Sequence, residues 1–249
     1  LSVLVGAVSG GVLYDLVGDR WTFVATGAVS VVGMVAVLPE ARHTSDRTVG
    51  AGGGWANLFR VFRRHRRRLI RGGVFGMLVT TAREGRMVVL LLVGVALGLS
   101  PAAIGGLVAV GYTADLALFP VSGYVMDRFG RKAAMFPAYG LLAVGLGMLA
   151  TADTATMAII AGVLMGIGNG MSAGSIFTIG SDLAPEEGTA SFLSGVSVLT
   201  GTGRVIGPVL VGVVAKAFGL GAAAATLAAV MVAGLLWLAF VLGETADHR

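Results

Sequence analysis

GYVMDRFGRK, residues 123–132, puts four charged side chains and two glycines into ten positions, between two apolar runs of about twenty residues each. Such a polar knot needs a reason in a chain that is 56% hydrophobic and 12% charged, with a mean hydropathy of +0.89. A soluble domain carries about a quarter of its residues charged, because its surface meets water. Half that share leaves most of the outer surface to face lipid.

Working outward from the decapeptide, eight runs are apolar enough to be read as crossing about 30 Å of hydrocarbon. They cover residues 1–16, 21–39, 72–98, 101–126, 133–152, 156–180, 189–215 and 219–242. The first is short and opens at Leu1 without a Met, a basic flank or a signal-peptide cleavage site, so it reads as the tail of a helix whose start is missing. The expected fold class is therefore an all-α polytopic membrane protein with eight transmembrane helices. Forty glycines without a collagen-like period sit inside these runs, where small residues allow close helix approach.

Charge fixes the orientation. The long connection 40–71 holds nine arginines, among them Arg60, Arg63, Arg64 and Arg66, and the decapeptide adds Arg128, Arg131 and Lys132. The connections 98–100 and 151–154 carry no basic residue. The positive-inside bias puts the basic connections and the C-terminus in the cytoplasm. Within 40–71, Trp55, Leu58, Phe59, Phe62 and Leu69 recur at helical spacing among the arginines. That pattern reads as an amphipathic helix on anionic membrane lipids rather than a nucleic-acid patch.

Gly123 is expected where two helices cross closely, and Gly130 at a tight turn. Asp127, at the C-terminal end of its helix, is disfavoured by the helix dipole and needs donors such as a neighbouring helix N-terminus or an arginine. The spacing G-x-x-x-D-R-x-G-R-K between two spans resembles the signature cytoplasmic loop of the major facilitator superfamily of secondary transporters. That loop occurs twice in the family, and a long basic connection two spans upstream matches this copy to the second. The resemblance implies helices 5 to 12 of twelve. Residues 1–39 would then be the last two helices of the N-terminal half, 40–71 the central loop, and 72–249 the C-terminal six-helix half. It also implies that the four missing N-terminal helices are needed for a complete transporter.

The pattern around Gly10 and Gly11 resembles the end of the family's fifth helix, with Gly6-Ala7 where Gly-Pro is expected. GRVIGPVLVG, residues 203–212, resembles the related eleventh-helix pattern, with Gly207 and Pro208 intact. GNGMSAGSIFTIGSDLAP (168–185) and VLGET (241–245) resemble drug-efflux-like members. By this resemblance Gly123, Asp127, Arg128, Gly130, Arg131 and Lys132 form a gate latch between helix ends.

Charges at membrane depth are informative without any family, since each costs about 2.5–3.5 kcal/mol at a helix centre. Arg83, Glu84 and Arg86 fall inside the run 72–98, Asp115 inside 101–126, Asn169 in 156–180 and Arg204 in 189–215. One helix, kinked near Gly85 and lining a cavity, accommodates the first three. Asp115 is expected to pair with Arg83 or Arg86, either permanently or as a carboxylate that changes protonation when its partner moves. These six are the substrate or coupling-ion candidates, with protons as the coupling ion.

The expected function is proton-coupled export of small organic molecules or drugs by alternating access. The rival is a truncated, non-transporting membrane fragment acting as an interaction or sensor protein. A membrane enzyme is rejected because His43, His65 and His248 lie in polar segments and no Ser/His or carboxylate–metal cluster can be assembled. No cofactor, metal or nucleic acid is implied; no nucleotide-binding G-x-x-x-x-G-K-[ST] is present and Cys is absent. Sixteen arginines against two lysines suggest GC-rich coding; the expected location is the cell membrane, plasma or inner, of a bacterium.

Overall fold

In a computed structural model the described residues are 18, 20–22, 24–25, 27–29, 62–186 and 188–242. The run 1–16, most of 21–39, most of the basic connection, Gly10, Gly11 and the motif after Leu242 lie outside them. Among the described residues from 62 onward the secondary structure is helical throughout. The helices are α1 (Arg66–Ala96), α2 (Pro101–Phe129), α3 (Arg131–Ala150), α4 (Ala155–Met171), α5 (Ser175–Leu183), α6 (Thr189–Phe218) and α7 (Leu220–Trp237), closed by a π-helical turn, Leu238–Leu242.

Local chemistry sets several boundaries. Ser100 caps α2 by accepting from the Ala103 amide at 3.2 Å, with Pro101 in the first turn, and Thr154 accepts from the Met157 amide at 3.3 Å to open α4. Among the described residues five segments are long and apolar enough to cross a membrane: Pro101–Phe129, Arg131–Ala150, Ala155–Leu183, Thr189–Phe218 and Leu220–Leu242. The third is α4 and α5 taken together. Helix α1 has 31 residues but carries Arg83, Glu84 and Arg86 within its length. It runs unbroken through Gly85.

The basic run from Arg66 to Arg71, expected in the loop, is instead the first part of α1. Arginine is a good helix former, and Leu69 draws the segment inward. Leu69, Phe192 and Val196 form a small buried cluster against which Phe62 packs. Those two apolar side chains therefore face protein, and not the lipid headgroups.

The helices close into one bundle. Helix α1 packs on α6 and α7, α3 on α4 and α7, and α2 on α4. Phe75, Tyr139, Leu142, Leu227 and Met231 fill the centre, with the Phe75 and Tyr139 rings edge to face at 5.8 Å. Outside, Val144, Ile160, Val205, Val213 and Phe240 are exposed. So much apolar surface all round a bundle suits hydrocarbon and would aggregate in water.

Candidate functional site

The midpoint of α2 is pressed against the midpoint of the α4–α5 segment by glycine. Gly162, Gly166 and Gly170 are four apart and share one face of α4. A Cβ on Gly166 would run into the Gly111 carbonyl, and one on Gly170 into the carbonyl of Asp115. Backbone meets backbone along this seam.

Asn169 lies beside Gly170, so the seam delivers its amide to the carboxylate. Asn169 Nδ2 donates to Asp115 Oδ2 at 2.6 Å. Arg86 Nη2 stands 3.9 Å from the same oxygen, while its Nη1 donates to the Met165 carbonyl at 2.8 Å. Arg86 is thus shared between α4 and α2 and does not fork onto the carboxylate. The Asp115 side chain is 5% exposed. Its Oδ1 and the Oδ1 of Asn169 have no hydrogen-bond partner among the described residues. Of the two arginines expected to pair with Asp115, Arg86 stands beside it. A space of about 20 Å³, enough for one water, opens between Arg86, Tyr112 and Gly162.

Just beyond Asn169 the helix stops. Residues 172–174 separate α4 from α5, and Gly174 takes φ +76°, which a side chain would strain. Carbonyls freed by a break need donors at membrane depth. Ser122 Oγ of α2 donates to the Ala173 carbonyl at 2.9 Å, and Ser172 Oγ to the Asn169 carbonyl at 2.9 Å. Tyr139 Oη of α3 and Ser175 Oγ share a buried hydrogen bond of 2.6 Å. The run 156–180, read as one helix, is therefore two.

Arg83, Glu84 and Arg204 belong elsewhere. They line a groove of about 780 Å³ between α1, α5 and α6, together with Thr80, Phe177 and Thr200. The six membrane-depth candidates thus separate into a buried trio (Arg86, Asp115, Asn169) and a groove trio.

At the α2–α3 end the connection shrinks to one residue. Helix α2 runs to Phe129, Gly130 turns the chain at φ +89°, and α3 starts at Arg131. Arg131 Nη1 donates to Asp127 Oδ1 at 3.0 Å and its Nε to Asp182 Oδ2 at 3.2 Å. It therefore ties the end of α2 to the end of α5. Asp127 is 79% exposed, Asp182 much less so. Arg128 donates to the Tyr124 hydroxyl at 2.6 Å and lies 5.8 Å from the Tyr124 and Phe129 ring centroids. Lys132 Nζ donates to the Ala239 carbonyl of the π-helical turn at 3.3 Å. Among the described residues Gly123 marks no close crossing: a Cβ there would meet nothing within 4 Å. Its helix face is turned outward.

Gly207 does pack. A Cβ there would run into the Thr81 carbonyl of α1 and stand 2.8 Å from the Gly85 amide, so Gly85 and Gly207 let α1 and α6 touch. Pro208 lies inside α6, which continues past it to Phe218. Sequence reasoning singled out neither Asp182 nor the buried Ser122, Tyr139, Ser172 and Ser175. Their types are ordinary in an apolar helix, and only the tertiary arrangement makes them partners.

Three relatives each match part of this chain. A triacylglyceride transporter of Mycobacteroides abscessus is 29% identical over 93 residues, 37% of this chain and 18% of that protein. The MFS-type transporter TwmF of Talaromyces wortmannii is 27% identical over 103 residues, 41% of this chain and 19% of that protein. A triacylglyceride transporter of Mycolicibacterium smegmatis is 31% identical over 93 residues, 37% of this chain and 17% of that protein. The matched stretches span less than a fifth of the length of each relative. The sequence profile of the Major Facilitator Superfamily matches residues 74–249, most of the helical bundle described above. This chain belongs to the Major Facilitator Superfamily and is a multi-pass, all-helical membrane protein of that transporter family.

Proposed function

We propose that residues 72–249 act as the C-terminal six-helix half of a proton-coupled secondary transporter that exports small organic molecules by alternating access. In this reading 1–39 contribute the last two helices of the other half, and 40–71 the cytoplasmic connection on anionic lipid. The protein sits in the cell membrane of a bacterium with its C-terminus inside. Membership of the superfamily supports a small-molecule cargo, and the names of two relatives suit a cargo with a large apolar body.

One observation carries the coupling. Asp115 is buried at the middle of its helix, 14 residues from either end, with one carboxylate oxygen bonded and the other bare. An ionised carboxylate there draws Arg86 and Asn169 toward α2. A proton on the bare oxygen removes that charge and weakens the hold on Arg86, so the two protonation states favour different packings of α2 against α4. The decisive variant is Asp115→Asn in the full-length transporter. It should abolish pH-gradient-driven flux while substrate binding and downhill exchange persist. Loss of folded protein with no separate effect on coupling would reduce the trio to a structural ion pair, for which removing one partner costs about 3–5 kcal/mol. Normal flux at normal yield would remove Asp115 from the mechanism.

A further inference from the structure

The groove between α1, α5 and α6 has a chemistry of its own. Three ionisable side chains line it, Arg83, Arg204 and Glu84, and none makes an ion pair or hydrogen bond among the described residues. Two fixed positive charges face one negative. Arg204 is 15 residues from the start of α6 and 14 from its end, so it stands at membrane mid-depth. Guanidinium groups cannot shed their charge, and at that depth an uncompensated one is costly. Among the described residues the groove is thus short of one anion.

Hydroxyls stand ready beside the arginines. Among the described residues Thr80 and Ser197 make no hydrogen bond and the Thr200 hydroxyl is buried without a partner. Apolar side chains complete the lining: Ile176 and Phe177 come from α5, Leu193 and Val196 from α6. Phe177 is 76% exposed, a large aromatic face with little of the bundle against it. A volume of about 780 Å³ falls in the range that holds a drug-sized molecule.

We propose that this groove selects a drug-sized amphiphile bearing a single anionic head group. Arg83 and Arg204 take the head group, and the Phe177 wall takes the apolar body. The assignment rests on the transporter reading for its purpose but not for its chemistry. It makes Arg83 and Arg204 the specificity-determining residues, and leaves the Asp115 trio to its own task.

The test holds the apolar body constant and changes only the head. The full chain is placed in phosphatidylcholine nanodiscs and titrated with dansyl-aminoundecanoate, its methyl ester and the matching amine, with empty nanodiscs subtracted for lipid partition. The carboxylate should bind at least about tenfold more tightly than the ester, the scale of one or two charge-assisted hydrogen bonds. Arg83→Gln with Arg204→Gln should bring that ratio close to one, whereas the paired lysine variants should keep part of the preference. If the paired glutamine variant does not fold, Arg204→Gln alone, at an exposed position, reads the same loss in smaller measure. A ratio near one in the unaltered protein, preference for the amine, or a ratio that survives the glutamines would each overturn the proposal. Gradient-driven flux, measured on the full-length transporter, is a separate readout. Intact head-group selectivity without flux would refute the export reading alone, and flux without selectivity would refute this one alone.

Discussion

Replacing Gly166 by alanine adds one methyl group at the tightest point of the α2–α4 seam. Its Cβ would collide with the Gly111 carbonyl oxygen and come within 2.9 Å of the carbonyl carbon and 3.1 Å of the Gly111 Cα. All three are backbone atoms, so no side chain can swing aside, and the helices must separate by roughly 1 Å to reach ordinary contact distances. Overpacking of this kind costs about 1–3 kcal/mol. The same separation would stretch the 2.6 Å bond from Asn169 to Asp115 beyond hydrogen-bonding range, and a bond to a charged group contributes about 1.5–3 kcal/mol. The two terms together give about 2.5–6 kcal/mol. For a domain of this size, about 2–4 °C of melting temperature per kcal/mol makes that a drop on the order of 10 °C. Gly147 of α3 is the control, because a Cβ there meets nothing within 4 Å and the residue lies on the outside. Alanine at Gly147 should leave the midpoint unchanged or raise it slightly, since glycine is a poor helix residue. Melting both purified variants in one detergent checks the pair. Equal midpoints would refute the claim that backbone contact at Gly166 sets the position of Asp115.

Three further outcomes are expected. Gly174→Ala forces a side chain into φ +76° and should cost about 1–2 kcal/mol, read as a lower midpoint in the same melt. Tyr139→Phe removes the partner of buried Ser175 and should cost about 1–3 kcal/mol, whereas Arg128→Gln, on the exposed end of α2, should cost under about 0.5 kcal/mol. Cysteines introduced at Ser45 and Ala246 of this Cys-free chain should both resist an impermeant thiol reagent in intact cells; labelling of either from outside would reverse the proposed orientation.

The class of this protein could be read from composition, because a chain with half the usual charge has few other solvents to choose from. The charges inside the runs were equally visible, since an arginine or aspartate stands out against leucine and glycine. Their partners were not. Asp115 could be matched to an arginine of α1 by elimination, but its shortest bond comes from Asn169, and that pairing depends on which glycine face of α4 meets α2. The spacing of Gly162, Gly166 and Gly170 advertises a close contact without naming the neighbour. Gly123, by contrast, belongs to a recognisable pattern yet packs against nothing described. The break after Met171 was hidden for a different reason: it spans three small residues without a proline, and hydropathy does not register a turn that brings its own hydrogen bonds.

Helix α5 gathers what the sequence kept apart. It has nine residues, too few to cross a membrane on its own, and it is attached to α4 through Ser172–Gly174 and not by a continuous helical ladder. At its start Ser175 bonds to Tyr139 of α3. Along one side Ile176, Phe177 and Ser181 form a wall of the groove. Near its end Asp182 receives Arg131, which also holds Asp127. Asn169, the residue that grips Asp115, sits only three positions before the break. A shift of α5 about that break would therefore alter the groove wall and the Arg131 clasp in one movement, whereas α4 is pinned to α2 and α3 by glycine contacts that allow little sliding.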